Sequence, residues 1–292
     1  MFSSSLKGFV FKPPARSPVP RRFGTAPARK NPPLPRILTY NVHRFVGTDR
    51  KVSAARTAEV IAACGADVVA LQEARVGSYR KTGFDLEAIA RHLGMELHFE
   101  PTIRLFGEQF GLAVLTALPT RRIKAGALPT LPNRGSLEAR KALWVGIEVG
   151  GCELQIVNTH LSLLSRRERL LQVDTLLGAE WLGGRPCVNP VVVVGDLNTG
   201  AGSKAYGRLA EELRDVQLEA TLPRLQPTFH ARLPMRRIDH IFVSASIDVL
   251  HAEARRTPLA RVASDHLPLI ADLRLPGEAA IRVIPAAERA AA

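Results

Sequence analysis

Four consecutive valines at residues 191–194 run straight into Gly195-Asp196-Leu197-Asn198, and this junction limits the fold more than any other feature of the chain. A β-branched run without polar alternation is a strand covered on both faces, which requires a sheet held between other layers. The same pattern, an apolar run meeting a polar cluster, recurs along the chain. Residues 37–40 lead into Asn41 and His43, residues 68–71 into Gln72-Glu73, and Ile156-Val157 into Asn158-Thr159-His160. Arg237-Ile238-Asp239-His240 and Ser264-Asp265-His266 adjoin two more apolar runs, 238–243 and 269–273. Between the strands lie helical patterns. Residues 52–64 predict an Ala-rich helix closed by Gly65, and Leu86, Ile89, Ala90 and Leu93 share one face of a second, ended by Gly94. Ser165 and Glu168 form a capping box that predicts a third helix, reaching about Leu182. Alternating residues on either side of Gly150-Gly151 predict a hairpin.

The polar tail ahead of these elements reads differently. Residues 1–36 carry eight Lys or Arg, no acid and eight prolines, so they hold +8 of the net charge of +13. Such a segment buries too little apolar surface to fold. The expected organisation is a disordered basic tail over 1–35, one α/β domain of mixed sheets over 36–275, and a short C-terminal tail over 276–292. A basic arm suits nucleic acid or an anionic membrane surface. No apolar run spans a membrane, and the apolar stretch near Phe9 is too short for a signal peptide, so the expected location is cytoplasmic, with peripheral membrane contact as an option. Three scattered cysteines, Cys64, Cys152 and Cys187, argue against a disulfide framework or a cysteine zinc site.

Polar clusters at strand ends are where sheets build their sites. A lone Glu or His there is usually structural; six clusters in one chain point to chemistry. The set holds carboxylates, histidines and asparagines, with no Gly-x-Ser-x-Gly elbow for acyl transfer. Carboxylate and amide oxygens suit a hard cation, Mg²⁺ or Mn²⁺. Histidines and asparagines can bind phosphate oxygens while an Asp orients water. The kit fits metal-assisted hydrolysis of a phosphate ester.

Asn41-Val-His43, Leu-Gln-Glu73-Ala-Arg75, Asn-Thr-His160-Leu, Gly-Asp196-Leu-Asn198, Arg-Ile-Asp239-His and Ser-Asp265-His266-Leu-Pro-Leu, in this order, resemble the motifs of the endonuclease/exonuclease/phosphatase superfamily, the DNase-I-like proteins. The resemblance implies a four-layer αββα sandwich. It implies Glu73 as main metal ligand, with Asn41 and Asp265 near it, and Asp196 as the residue that positions the attacking water. Asn198, Asn41, Arg75 and Arg140 would bind phosphate, and His266 would donate to the scissile group. Asp239 would fix a histidine, with His160 the expected partner. Having both His160 and His266 resembles the DNase-I and sphingomyelinase branches; His43 stands where many nucleases have Asp or Asn.

These features favour a phosphodiesterase acting on nucleic acid. The alternative is the same chemistry on a lipid or inositol headgroup, and a non-catalytic scaffold would not need every chemical position filled. No obligate protein partner is implied.

Overall fold

The computed structural model describes residues 34–77, 85–105, 107–131, 139–183, 190–221 and 224–276. Most of the basic tail, Tyr79, Cys187, parts of the loops expected to choose substrate and nearly all of the C-terminal tail lie outside them.

In chain order the strands are β1 (Arg36–Asn41), β2 (Val68–Val76), β3 (Glu96–Leu105), β4 (Glu108–Thr116), β5 (Thr120–Ala127) and β6 (Lys141–Val149). Then come β7 (Cys152–His160), β8 (Val191–Asp196), β9 (Arg214–Asp215), β10 (Asp239–Val243), β11 (Asp248–Ala254) and β12 (Leu269–Arg274). They form two six-stranded sheets, ordered β11-β12-β1-β2-β4-β3 and β5-β6-β7-β8-β10-β9. Strand periodicity sorts their side chains into layers. Ile37, Val68 and Val114 of the first sheet meet Val145, Ile156, Val192 and Val194 of the second in a shared core. On the outer face of the first sheet, Leu38, Tyr40 and Val69 pack with residues of α1 (Ala54–Cys64) and α2 (Leu86–Leu93). On the outer face of the second, Val191, Val193 and Phe242 pack with α3 (Arg166–Leu177) and α4 (Lys204–Ala210). Two short helices, α5 (Val216–Glu219) and α6 (Ala260–Ala263), and a 3-10 turn at His43–Phe45 complete the helical set among the described residues. The result is the expected αββα sandwich, with the valine run covered on both faces.

Local signals acted as their chemistry requires. Ser53, Asp85 and Ser165 cap α1, α2 and α3, each accepting from a backbone N–H of the first turn. Gly150 and Gly151 both take positive φ, 58° and 83°, and turn the β6–β7 hairpin. Helix α3 stops at Leu177 rather than near Leu182. Gly178 leaves the helix in extended backbone, and Trp181 folds back to stack on Trp144 at 6.3 Å. Cys64 and Cys152 are free and buried, and no helix among the described residues is long and apolar enough to cross a membrane.

Gly195 lies in β8 at φ 146°, paired across from Thr159 in β7. A Cβ there would run into the backbone carbonyl oxygen of Thr159. Gly195→Ala is therefore expected to destabilise the fold by about 1–3 kcal/mol through overpacking and a disfavoured φ, read as a lowered Tm. An unchanged Tm would contradict this account of the β7–β8 approach.

Candidate active site

Strand register brings the polar clusters together. Strand β8 runs between β7 and β10, and Asp196 lies level with His160 on one side and Asp239 on the other. In the first sheet Asn41 lies level with Gln72. The ends of both sheets thus converge on one place.

The carboxylate of Asp196, fully buried, is the centre of the cluster. Its Oδ1 accepts from the Asn198 backbone N–H at 2.8 Å, and its Oδ2 accepts from Asn41 Nδ2 at 3.1 Å. His160 Nε2 and His266 Nε2 approach the same Oδ2 to 3.5 and 3.6 Å. Asn41 Nδ2 also donates to Glu73 Oε1 at 3.2 Å, so one amide joins the two carboxylates. Glu73 is aimed here by a bulge: the β2–β4 register slips between Leu71 and Ala74, and Glu73 takes φ 53°. Six described non-glycine residues have positive φ, and five of them, His43, Arg44, Phe45, Glu73 and Asn198, belong to this region. Unfavourable backbone concentrates where side chains must be aimed.

Asp239 does not pair with His160. Its two oxygens lie 3.1 and 2.9 Å from His266 Nδ1, and Thr228 Oγ1 donates to it at 2.5 Å. The strand order explains the correction, since β8 separates β7 from β10 and sets Asp196 between Asp239 and His160. His160 is instead held by Asn198, whose Nδ2 lies 3.0 Å from its Nε2 and also donates to Leu161 O at 3.0 Å. Its Nδ1 is buried with no partner among the described residues.

The two histidines therefore differ in charge. For His266, burial alone would lower the pKa, but the carboxylates of Asp239, Asp196 and Asp265 outweigh it and lift the ring to about 10. For His160, burial acts with the positive charges of Arg140, His266 and Arg44 to push the pKa well below the usual histidine range. Burial also raises the Asp196 carboxyl, to about 6, with Asp239 adding to the rise while His266, the Asn198 N–H and Asn41 oppose it.

The remaining expected residues divide. Asp265, partly exposed, has Oδ1 3.6 Å from His43 Nδ1, and Ser264 Oγ ties this turn to the Asn41 carbonyl at 2.8 Å. Arg140 is buried, and its charge is felt at His160. Arg75 is turned to Glu108 at 3.6 Å and lies 6.0 Å from the Phe45 ring centre. Sequence reasoning did not foresee Thr228, which anchors Asp239, or Arg44, whose Nε lies 3.6 Å from Glu73 Oε2. Thr228 falls in irregular chain and carried no pattern.

For a metal, Asp196, Asp239 and His266 each place one ligand atom within 4.8 Å of the others. The His266 N–H is already engaged by Asp239, and a protonated imidazole is a poor ligand. Glu73 and Asp265 are the carboxylates of the site that keep partly exposed oxygens, the donor type a hard cation prefers, while Asn41 turns its Nδ2 toward Glu73 and Asp196.

A double-mutant cycle tests the pairing. Asp239→Asn and His266→Ala should each reduce turnover by about 10²–10⁴-fold and combine far less than additively. The cycle Asp239→Asn with His160→Ala should lie closer to additive. The reverse ranking would contradict the geometry.

The profile of the Endonuclease/Exonuclease/phosphatase family matches residues 38–266. The Escherichia coli K12 protein YbhP is 26% identical over 253 residues, covering 82% of this chain and 96% of its own. Among solved structures, an endonuclease/exonuclease/phosphatase from Beutenbergia cavernae superposes with TM-score 0.69 at 26% identity, over 84% of this chain and 72% of that one. The human Nocturnin catalytic domain has the same fold, with TM-score 0.64 at 22% identity over 83% and 95% of the two chains. With this match across the strands that carry the site, the chain belongs to the endonuclease/exonuclease/phosphatase family, whose members hydrolyse phosphoester bonds.

Proposed function

We propose that this protein is a divalent-metal-dependent phosphodiesterase that cleaves nucleic acid by in-line attack of water. The observation that carries the reading is the Asp196 carboxylate, flanked by Asn41, His160 and His266 and linked through Asn41 to Glu73. Glu73 and Asp265 would hold Mg²⁺ or Mn²⁺, with Asn41 hydrogen-bonded to Glu73 beside them. The bound ion would supply Lewis acidity at a phosphoryl oxygen.

The protein's own groups perform the rest. Asp196 orients the water and accepts its proton at Oδ2. His266, charged through Asp239, donates from Nε2 to the phosphate as negative charge grows there. His160, neutral, lies across from it with its Nε2 accepting from Asn198, and adds no second positive charge. The buried Arg140 guanidinium holds a non-bridging oxygen, while Asn198, its amide engaged by Leu161 O and His160, fixes that histidine. Arg75 serves at the margin, and the basic tail of residues 1–35 adds affinity for a polyanion.

A second reading, hydrolysis of a membrane-lipid headgroup, draws on Leu163, Leu164, Leu233 and Met235. All four are exposed, on the segments that follow His160 and precede Asp239. Exposed aliphatic side chains near basic ones suit a lipid interface.

Purified protein should cleave single- or double-stranded nucleic acid with Mg²⁺ or Mn²⁺ and lose activity in excess chelator. Glu73→Gln should retain the fold but lose nearly all turnover. A panel that includes anionic phospholipid vesicles separates the two readings: cleavage of lipid without cleavage of nucleic acid would replace the first by the second. Full activity in chelator, or a wild-type-like Glu73→Gln enzyme, would overturn both.

The pH profile follows from the coupled groups. Asp196 must be ionised, so kcat/KM rises as pH climbs through about 6. His266 must be protonated, so it falls as pH climbs through about 10. His266→Ala should abolish the upper limb. It should also move the lower limb to higher pH, because the positive charge that restrains the Asp196 pKa is gone. A lower limb that stays in place would contradict the coupling.

A further inference from the structure

A cavity of about 840 Å³ opens off the site at Asn198 and Thr199 and runs between the start of α3 and the loop into α4. Arg166, Arg167, Arg169, Lys204 and Arg236 line it, and none of the residues that line it is acidic. Arg166, Arg167 and Lys204 are exposed with no carboxylate partner among the described residues, and Arg236 is exposed with only the Phe229 ring beneath it, 5.8 Å from the ring centre. Arg169 is buried and fixed, donating from Nη1 to the carbonyls of Ser162 and Leu163 at 2.7 and 2.9 Å. Burial and the charges of Arg166 and Arg236 lower its pKa, so the cations feel one another.

Other arginines are paired: Arg56 with Asp49, Arg121 with Glu153, Arg208 with Glu211 and Glu212. Here five cations converge with no carboxylate in the lining, next to Asn198 of the site, and Arg169 feels the charge of Asp196. The floor is Gly200, Ala201 and Gly202, whose small side chains leave the cavity wide. The positive end of the twelve-residue helix α3, capped by Ser165, begins at Arg166 on its wall. Like charges held together in a cavity are stabilised by an anion. Its volume is in the range that accepts a ligand fragment rather than a single ion.

We propose that this cavity is a second phosphate subsite, binding a phosphate group of the substrate that neighbours the bond to be cleaved. The inference rests on the phosphodiesterase reading above and narrows its substrate to a molecule with at least two phosphates. Such a group is supplied by the next backbone phosphate of a nucleic acid or by a ring phosphate of an inositol headgroup.

The experiment compares paired substrates. One pair is dithymidylate with and without a 5′-terminal phosphate; the other is glycerophosphoinositol with and without a ring phosphate. Wild-type protein should prefer the bisphosphate member of one pair by about tenfold or more in kcat/KM, which also names the source. In an Arg167→Ala, Arg236→Ala double variant that preference should vanish while the rate on the single-phosphate member stays unchanged. Equal effects on both members, or no effect on either, would overturn the subsite. Failure to cleave any of the four would count against the phosphodiesterase reading alone. The subsite is then decided by binding of 5′-phosphorylated dithymidylate to the Glu73→Gln protein, with and without the two arginine changes. About tenfold weaker binding in the arginine variants supports the subsite, and no difference overturns it.

Discussion

Three side-chain amides that cross between the sheets set the position of everything else in the site. The sheets do not pair with each other, and hydrophobic packing alone would let them slide. Gln72 of β2 donates from Nε2 to Asn158 Oδ1 of β7 at 2.7 Å, and Asn158 returns hydrogen bonds to the carbonyls of Leu71 and Ala113 at 2.9 Å. Asn41 of β1 reaches Asp196 of β8. Gln72 and Asn158 are fully buried and Asn41 nearly so, and a buried amide without a partner is costly, so these bonds permit one register between the sheets. That register places Glu73 on one sheet opposite Asp196 on the other.

Within that frame, the chemistry comes from unequal treatment of similar groups. His160 and His266 are both buried within 4 Å of the same Asp196 oxygen. One has a carboxylate behind it and the other has Asn198 and nearby cations. The carboxylates on the His266 side, Asp239 foremost, and the cations beside His160 therefore separate a charged histidine from a neutral one. Thr228 holds that carboxylate from behind, so the distinction is built into the strand register rather than into solvent exposure.

Much of this was legible in the sequence. The valine run declared a strand covered on both faces, and most polar residues that ended the runs converge near Asp196, whereas Arg237 and His240 turn to Asp215. Caps and glycines marked helix starts and turns because those signals are local. What was not legible depended on strand order. The partner of Asp239 could not be read from residue types, because either histidine suits it; only β8 lying between β7 and β10 decides for His266. Strands β3, β5 and β11 escaped notice because they are partly exposed and lack a clean alternation. Arg75 followed a metal-site motif, and its ion pair with Glu108 on the neighbouring strand depended on strand pairing that the motif does not carry. The basic cavity was invisible because Arg166, Arg167, Lys204 and Arg236 lie on three separate segments.

The central claim is that Asp239 keeps His266 charged while His160 beside it stays neutral. Nitrogen-15 NMR of the imidazoles in the whole protein measures this directly. At pH 8, His266 should show both ring nitrogens protonated, and His160 should show one protonated and one bare nitrogen down to the acid limit of folding. A His266 that titrates near the ordinary histidine range, or a His160 that becomes charged with it, would contradict the account.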